Sequence, residues 1–136
     1  MSLKTYRDLD AWQKAMDLVV AVYKLTKQFP ATEKYGLTSQ IQRAAVSVPA
    51  NIAEGYWRTH RGEYLHHLSV GRGSLAEVET HVTIAVRLEI IPRERGVEVW
   101  ELCQAVGKTL NRLIQSLERR PPEPGTLNPE PERGDS

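Results

Sequence analysis

Two stripes of mixed polar side chains are the part of this sequence best suited to chemistry. The first lies between positions 42 and 58, and its members are spaced three or four residues apart: Arg43, Ser47, Asn51, Glu54 and Arg58. The second has the same spacing and comprises Ser74, Glu77 and His81. Residues three and four apart share one face of a helix. The stripes therefore indicate a binding groove between two helices, an ordinary solvated face, or a structural polar network that fixes helix register. Such a network would contain Arg43, Ser47, Asn51, Glu54, Ser74 and Glu77.

Basic and aromatic residues around the end of the first stripe could hold nucleic acid. Arginine and histidine side chains bind phosphate oxygens, and an indole ring offers a face on which a base can stack. The alternative is a solvated loop with amphipathic aromatic residues at its edge. The candidate nucleic-acid-binding residues are Arg43, Arg58, Arg61, Arg72, His60, His67 and Trp57.

No pattern in the sequence is typical of an enzyme, because the stripes contain no nucleophile paired with a base. Di-iron helical bundles use two Glu-x-x-His motifs, whereas this chain has one, from Glu63 to His66. Glu77 and His81 would supply only two metal ligands. The glycine-rich stretch 71–74 lies in a helical pattern with no strand before it, unlike a phosphate-binding loop. We predict no catalytic residues, no cofactor and no metal.

Length and composition indicate one small globular domain. The chain has 136 residues, of which 40% are hydrophobic and 26% charged, as in ordinary globular proteins. It contains no apolar run long enough to span a bilayer and no signal-peptide pattern. The single cysteine, Cys103, lies in an apolar helical stripe. We predict a cytoplasmic protein in which Cys103 is a small core residue.

Charge is distributed unevenly along the chain. The net charge is +1, but residues 1–120 carry 17 basic and 13 acidic side chains, whereas residues 121–136 carry one basic and four acidic. A mildly basic body permits nucleic-acid binding without requiring it. The segment 121–136 is rich in proline and nearly devoid of apolar residues, which predicts a disordered acidic tail.

Apolar residues that recur every three or four positions predict four helices, at about residues 8–28, 37–58, 63–90 and 92–120. Pro49 lies inside the second, where the in-phase apolar stripe favours a kink over two separate short helices. Gly71 and Gly73 weaken the third helix, and the close approach of a neighbouring helix would compensate. The pattern predicts an all-α fold, an antiparallel up-down-up-down four-helix bundle over residues 1–120 with a kinked second helix.

The first helix carries two apolar seams side by side, and one is enough to close a monomeric bundle. One seam consists of Leu9, Trp12, Met16, Val19, Tyr23 and Thr26. The other consists of Ala11, Ala15, Leu18, Val22 and Leu25. An exposed seam of this length would be an aggregation liability. We predict that the second seam forms an interface between subunits of a homo-oligomer.

Several short motifs resemble the bacterial four-helix-bundle proteins named for reading frames in intervening sequences of large-subunit (23S) ribosomal RNA genes. The resemblance covers about residues 5–117, and Gly71 stands where many members carry alanine. The most specific motifs are Asn51-Ile52-x-Glu54-Gly55 and Gly73-Ser74-x-x-Glu77. The others are Tyr6-x-x-Leu9-x-x-Trp12-x-x-Ala15, Phe29-Pro30, Tyr35-Gly36-Leu37-Thr38-x-Gln40, Arg43-Ala44 and Ser47.

The resemblance implies a cytoplasmic bacterial bundle that assembles as a ring-shaped homopentamer and whose function is poorly established. A related branch comprises accessory proteins of diversity-generating retroelements, which bind nucleic acid and a reverse transcriptase through a basic surface. Two functional hypotheses follow. One is a non-enzymatic oligomer that binds RNA or DNA; the other is a protein-interaction scaffold, with the tail as a tether and no nucleic-acid role.

Overall fold

A computed structural model describes residues 5–121, which form an all-α fold without a strand in that range. The four long helices are α1 (Asp10–Thr26), α2 (Leu37–Tyr56), α3 (Arg61–Arg87) and α4 (Arg93–Glu118). Short 3-10 turns at Tyr6–Asp8 and Ala31–Glu33 precede α1 and α2. The predicted fold class is confirmed, and each helix ends within three residues of its predicted boundary. The predicted disordered tail lies outside the described residues, except for Pro121.

Each helix packs against two others, α1 and α3 both lying between α2 and α4. The centre of the bundle is filled by fully buried aliphatic side chains, including Leu18, Ile41, Ile52, Leu68 and Leu110. Burial of such side chains contributes about 1.5–3 kcal/mol each. No helix among residues 5–121 has the length and apolar character needed to cross a membrane.

Contacts between α2 and α3 run in opposite sequence directions. Ser47 meets Ser74, while Asn51, one turn later in α2, meets His67, two turns earlier in α3. These two helices are therefore antiparallel. Helix α2 continues without a break through Pro49, so the alternative of two short helices is wrong, and the kink stays a prediction.

The two apolar seams of α1 are not arranged as predicted: the second is buried and the first is only partly exposed. Ala11, Ala15, Leu18, Val22 and Leu25 are all buried in the chain's own core, so their assignment to a subunit interface is wrong. The side chains left in solvent are Met16, Val20 and Tyr23, which are 37%, 51% and 43% exposed. The reason is that α2 and α4 both cover one side of α1, and the alanines permit their close approach.

The glycines of α3 differ in what surrounds them. A methyl group at Gly71 would lie 3.6 Å from the Cβ of Asn51 and from the carbonyl oxygen of Val48, so α2 does pack closely here. A methyl group at Gly73 would meet nothing within 4 Å. The predicted compensation by close helix packing is therefore wrong for Gly73, which lies on the outer face of α3.

Helix α3 ends in a tight left-handed turn at Glu89, whose φ is 61°. The N–H of Ile90 donates to the carbonyl of Ala85 (2.9 Å), and the N–H of Glu89 donates to that of Val86 (3.0 Å). These two bonds define a Schellman motif, in which the left-handed position is usually glycine. The turn satisfies the last carbonyls of α3 and directs the chain toward α4.

Candidate functional site

A hydrogen-bonded polar network joins the facing sides of α2 and α3. The hydroxyl of Ser74 donates to that of Ser47 at 2.8 Å. The side-chain nitrogen of Asn51 donates to the carbonyl oxygen of Ser47 (2.8 Å) and to its hydroxyl oxygen (3.0 Å). Three members of the predicted polar network, Ser47, Asn51 and Ser74, therefore do bond to one another across the two helices.

His67 extends this network toward the surface. Its Nδ1 atom lies 3.1 Å from Oδ1 of Asn51. Because the Asn51 nitrogen already donates to Ser47, Oδ1 must accept, so Nδ1 of His67 carries the proton. The Oε1 atom of Glu54 lies 4.0 Å from the same Nδ1. The Oε2 atom of Glu54 forms an ion pair with Nη2 of Arg58 at 2.8 Å. Only 17% of the His67 side chain is exposed and its Nδ1 donor is used internally, which disfavours the predicted contact with nucleic acid.

The close approach of α2 and α3 at this network depends on Gly55. A methyl group on Gly55 would lie 2.9 Å from the Cβ of His67 and 3.0 Å from Cδ1 of Tyr64. Both distances are shorter than an ordinary van der Waals contact. Gly55 appears in the sequence motif Asn-Ile-x-Glu-Gly, and its structural role there is to let α3 approach.

A groove of about 390 Å³ lies beside the network, between the same two helices. Its lining consists of Gln40, Arg43, Ala44, Ser47, Ser74, Glu77 and His81. We call this set the α2–α3 groove. Its lining includes all of the second polar stripe but only Arg43 and Ser47 of the first, and its role as a binding groove stays a prediction.

Three polar groups of the α2–α3 groove have no short hydrogen bond to the protein within residues 5–121: the solvent-exposed Arg43 and Glu77, and the half-buried His81. Arg43 donates only a long, 3.4 Å hydrogen bond, to Ser39. The Glu77 carboxylate has no hydrogen bond and no ion pair in this range, and in particular none to Arg43. The Nδ1 atom of His81 is buried and has no hydrogen-bond partner there. Arg43 and Glu77 therefore line the groove instead of joining the predicted network.

A second cluster, which we call the basic end, lies where the α2–α3 turn meets the end of α4. It surrounds a small cavity of about 90 Å³. Its charged and titratable members are Arg58, His60, Arg61, Tyr64 and Arg120. Arg120 was missed by the sequence analysis because nothing in its local pattern indicates that α4 ends beside residue 60.

Arg61 holds the parts of the basic end together. Its Nη1 atom donates to the backbone carbonyls of Leu117 (3.2 Å), Arg120 (2.6 Å) and Pro121 (3.2 Å). Carbonyls at the end of a helix have no partner within the helix. Arg61 therefore closes the last turn of α4 and fixes it against the start of α3, in addition to contributing positive charge.

The first turn of α3 and an exposed indole complete the basic end. His60 occupies the N-cap of α3, and its side chain makes no capping hydrogen bond to the first turn. The partial positive charge at the start of α3 is therefore not offset by a capping side chain. Trp57 is 68% exposed and contacts the ring of Tyr56 edge-to-face, with a distance of 5.7 Å between the ring centroids.

The Tyr64 side chain of the basic end is neutral. Burial, followed by the proximity of Tyr56, raises the pKa of Tyr64 to about 12, so this phenol stays protonated.

The predicted nucleic-acid-binding residues do not form one surface. Arg43 lies in the α2–α3 groove, about 20 Å along α2 from Tyr56, the last residue of the helix, at 1.5 Å per residue. Arg72 donates to the side chain of Asn111 on α4 (3.0 Å). Only Trp57, Arg58, His60 and Arg61 belong together at the basic end.

No three histidine, cysteine, aspartate or glutamate side chains in the described part of the chain converge as metal ligands. Cys103 is buried and unpaired. Burial, with a smaller contribution from Glu79, raises its thiol pKa to about 12. The thiol is therefore a core group, in agreement with the prediction.

Comparison with known proteins identifies relatives over most of the bundle. The model of the 23S rRNA-intervening sequence protein family matches residues 7–112. A solved structure from Bacteroides thetaiotaomicron, a protein with unknown function from the S23 ribosomal protein family, is similar with a TM-score of 0.72 and 23% identity. The alignment covers 77% of this chain and 98% of that one. At this identity the likeness shows the fold alone. No curated protein matches the chain.

Proposed function

Because this chain belongs to the 23S rRNA-intervening sequence protein family, we propose that it is a non-enzymatic, homo-oligomeric bundle that binds RNA or DNA through its basic end. The observation that carries the proposal is the convergence of Arg58, His60, Arg61 and Arg120 around one cavity. A phosphate placed there would meet several donors and the start of α3, a combination suited to anions.

Trp57 supports the same interpretation. Its indole is the most exposed tryptophan side chain of the three and lies next to Arg58 in the chain. A base of a single-stranded or looped segment can stack on such a ring while its phosphates contact arginines. The contribution of Arg61 is positional as well as electrostatic, since its guanidinium is fixed by the carbonyls of α4.

Assembly with further copies would strengthen this modest patch. A ring needs a heterologous interface, in which one surface of a copy meets a different surface of the next. The exposed stripe Met16, Val20 and Tyr23 on α1 is one such surface. An apolar groove of about 530 Å³ between α3 and α4, lined by Val82, Val86, Val97 and Trp100 among others, is the other. Several basic ends on one ring would multiply a weak affinity by avidity.

The test is fluorescence anisotropy with a labelled RNA hairpin and a DNA hairpin of the same sequence, titrated at several salt concentrations. Binding at micromolar protein and low salt is expected, with affinity that falls as salt rises, because counterions are released from phosphates. The double variant Arg58→Gln/Arg120→Gln should bind at least about tenfold more weakly and with a smaller salt dependence.

Arg72→Gln is the matched control, since it removes one exposed arginine outside the basic end. Equal losses in Arg72→Gln and in the double variant would contradict a specific site. Absence of binding by the parent protein would overturn the nucleic-acid function. In that event a protein-interaction scaffold would be favoured.

A further inference from the structure

The α2–α3 groove presents opposite charges that do not satisfy each other, and from them we infer that it binds a guanine base. Arg43 and Glu77 line the same groove without forming an ion pair within residues 5–121. A ligand that lies between them must accept hydrogen bonds on one side and donate them on the other. The inference deepens the proposed nucleic-acid function and rests on it for its biological setting.

Guanine is the base whose edges fit this pair. Its O6 and N7 atoms form two adjacent acceptors that match a guanidinium, which is the commonest specific arginine contact to a base. Its N1–H and N2–H₂ groups form two adjacent donors that match a carboxylate. Along its pairing edge adenine has one donor beside one acceptor, cytosine has one donor beside two acceptors, and uracil has one donor between two acceptors. A carboxylate opposite any of these would face a lone pair.

His81 gives independent evidence that the groove is built to receive a polar group. Its Nδ1 atom is buried and lacks a partner within the described residues, which is unfavourable in a folded protein. Residues 74, 77 and 81 lie on one face of α3, so His81 is one turn beyond Glu77 along the groove. A ligand held by Glu77 would lie beside the His81 ring.

The groove has suitable size and rigidity. Its volume of about 390 Å³ falls in the range of about 300–1,000 Å³ typical of small-molecule sites. Ala44, Ser47 and Ser74 are small side chains in its lining, so a flat ring can lie close to the helix backbones. The Ser47–Ser74 hydrogen bond and the Asn51 bonds to Ser47 hold the two walls in register, which favours a preformed site.

The experiment uses isothermal titration calorimetry with guanosine monophosphate, inosine monophosphate and adenosine monophosphate. Inosine lacks the N2 amino group, so it loses one of the two donors to Glu77. Guanosine monophosphate should bind at least about tenfold more tightly than either analogue. Glu77→Gln and Arg43→Gln should each abolish this preference. Glu63→Gln and Arg72→Gln, which change the same residue types outside the groove, should retain it.

A second arm separates the two sources of guanine, a free nucleotide and an RNA strand. A hairpin with loop guanines is compared with the same hairpin carrying inosine, using both the parent protein and Arg58→Gln/Arg120→Gln. Preference for guanine in the hairpin identifies RNA as the source. Nucleotide binding without hairpin binding supports the groove with a free nucleotide as ligand, and contradicts the proposed function alone.

Two results would overturn the inference. One is equal affinity for the three nucleotides, or no binding of any of them at millimolar concentration. The other is loss of nucleotide binding in Arg58→Gln/Arg120→Gln with full binding in Glu77→Gln and Arg43→Gln, which would assign the nucleotide to the basic end. Hairpin binding without guanine preference, together with either result, would leave the proposed function standing while the groove inference fails.

Discussion

The hydroxyl groups of Ser47 on α2 and Ser74 on α3 lie 2.8 Å apart, and Ser74 is buried. Within residues 5–121, neither serine forms a hydrogen bond with any other side chain of the opposite helix. Removal of the Ser47 hydroxyl leaves the buried Ser74 hydroxyl without this acceptor, whereas the half-buried Ser47 keeps its bond from Asn51 when Ser74 is changed.

We predict that Ser74→Ala lowers the free energy of unfolding by about 1–2 kcal/mol. Ser47→Ala should cost at least as much, because Asn51 then also loses an acceptor. The double variant should cost less than the sum of the two, since the second change removes a group already left unpaired. Urea denaturation of the four proteins measures the coupling, and additive costs would show that the two hydroxyls do not interact.

Gly55→Ala should destabilise the bundle by about 1–3 kcal/mol, because the new methyl group would press against His67 and Tyr64. Gly73→Ala is the matched control. It adds the same methyl group to a helix where nothing lies within 4 Å, so it should raise the free energy of unfolding by up to about 1 kcal/mol. Thermal and urea unfolding would test both, and similar effects of the two changes would contradict the packing role of Gly55.

Substitutions on α1 should separate assembly from folding. Val20→Glu/Tyr23→Glu changes exposed side chains and should leave helical content intact while weakening self-association at least about tenfold. Leu18→Glu places a charge in the core of the bundle and should unfold the chain, at a cost of several kcal/mol. Light scattering and circular dichroism at matched concentrations give the two readouts. A double variant that associates like the parent would move the interface away from this stripe.

The Cys103 thiol should react slowly with alkylating reagents in the folded protein. Its folded-state pKa of about 12 exceeds the ordinary value of 9.0, so the folded chain keeps a proton that the unfolded chain loses between these two pH values. Stability is therefore fully present below pH 9 and declines as pH rises toward 12. Alkylation rates with and without urea test the first statement, and Cys103→Ala should reduce the alkaline decline of stability.

Glu89→Gly should stabilise the protein by about 0.5–1 kcal/mol, because glycine adopts the positive φ of this turn without the steric cost of a side chain. Glu94→Gly, in the first turn of α4, makes the same substitution at a helical position and should destabilise by about as much. Urea denaturation compares the two. Destabilisation by Glu89→Gly would mean that its side chain, not the backbone, stabilises the turn.

The sequence predicts the four helices and the α2–α3 groove because both depend on periodicity along one helix. It does not resolve which seam of α1 is buried, since both are apolar. The residue types held a usable signal: Ala11 and Ala15 permit close packing, whereas Met16 and Tyr23 tolerate partial exposure.

The basic end was only partly predictable for a different reason. The partners of Arg61 are backbone carbonyls of residues 117–121, and carbonyls are present at every position, so no pattern reveals the pairing. His67 likewise looks like a surface histidine in the sequence, but the packing of Gly55 brings it beside Asn51. Contacts between segments distant in the chain decided both cases.

Both boundaries of the described chain lie beside the basic end, which has a practical consequence for labelling. The ring of Tyr6 lies 6.4 Å from that of Tyr56, and Pro121 accepts a hydrogen bond from Arg61. A fluorophore attached at Thr5 or Pro121, the first and last described residues, would thus lie near the surface proposed to bind phosphates. The turn at Glu89 is a better point for an inserted epitope, since it joins α3 to α4 at the far end of α3, 28 residues along the chain from Arg61.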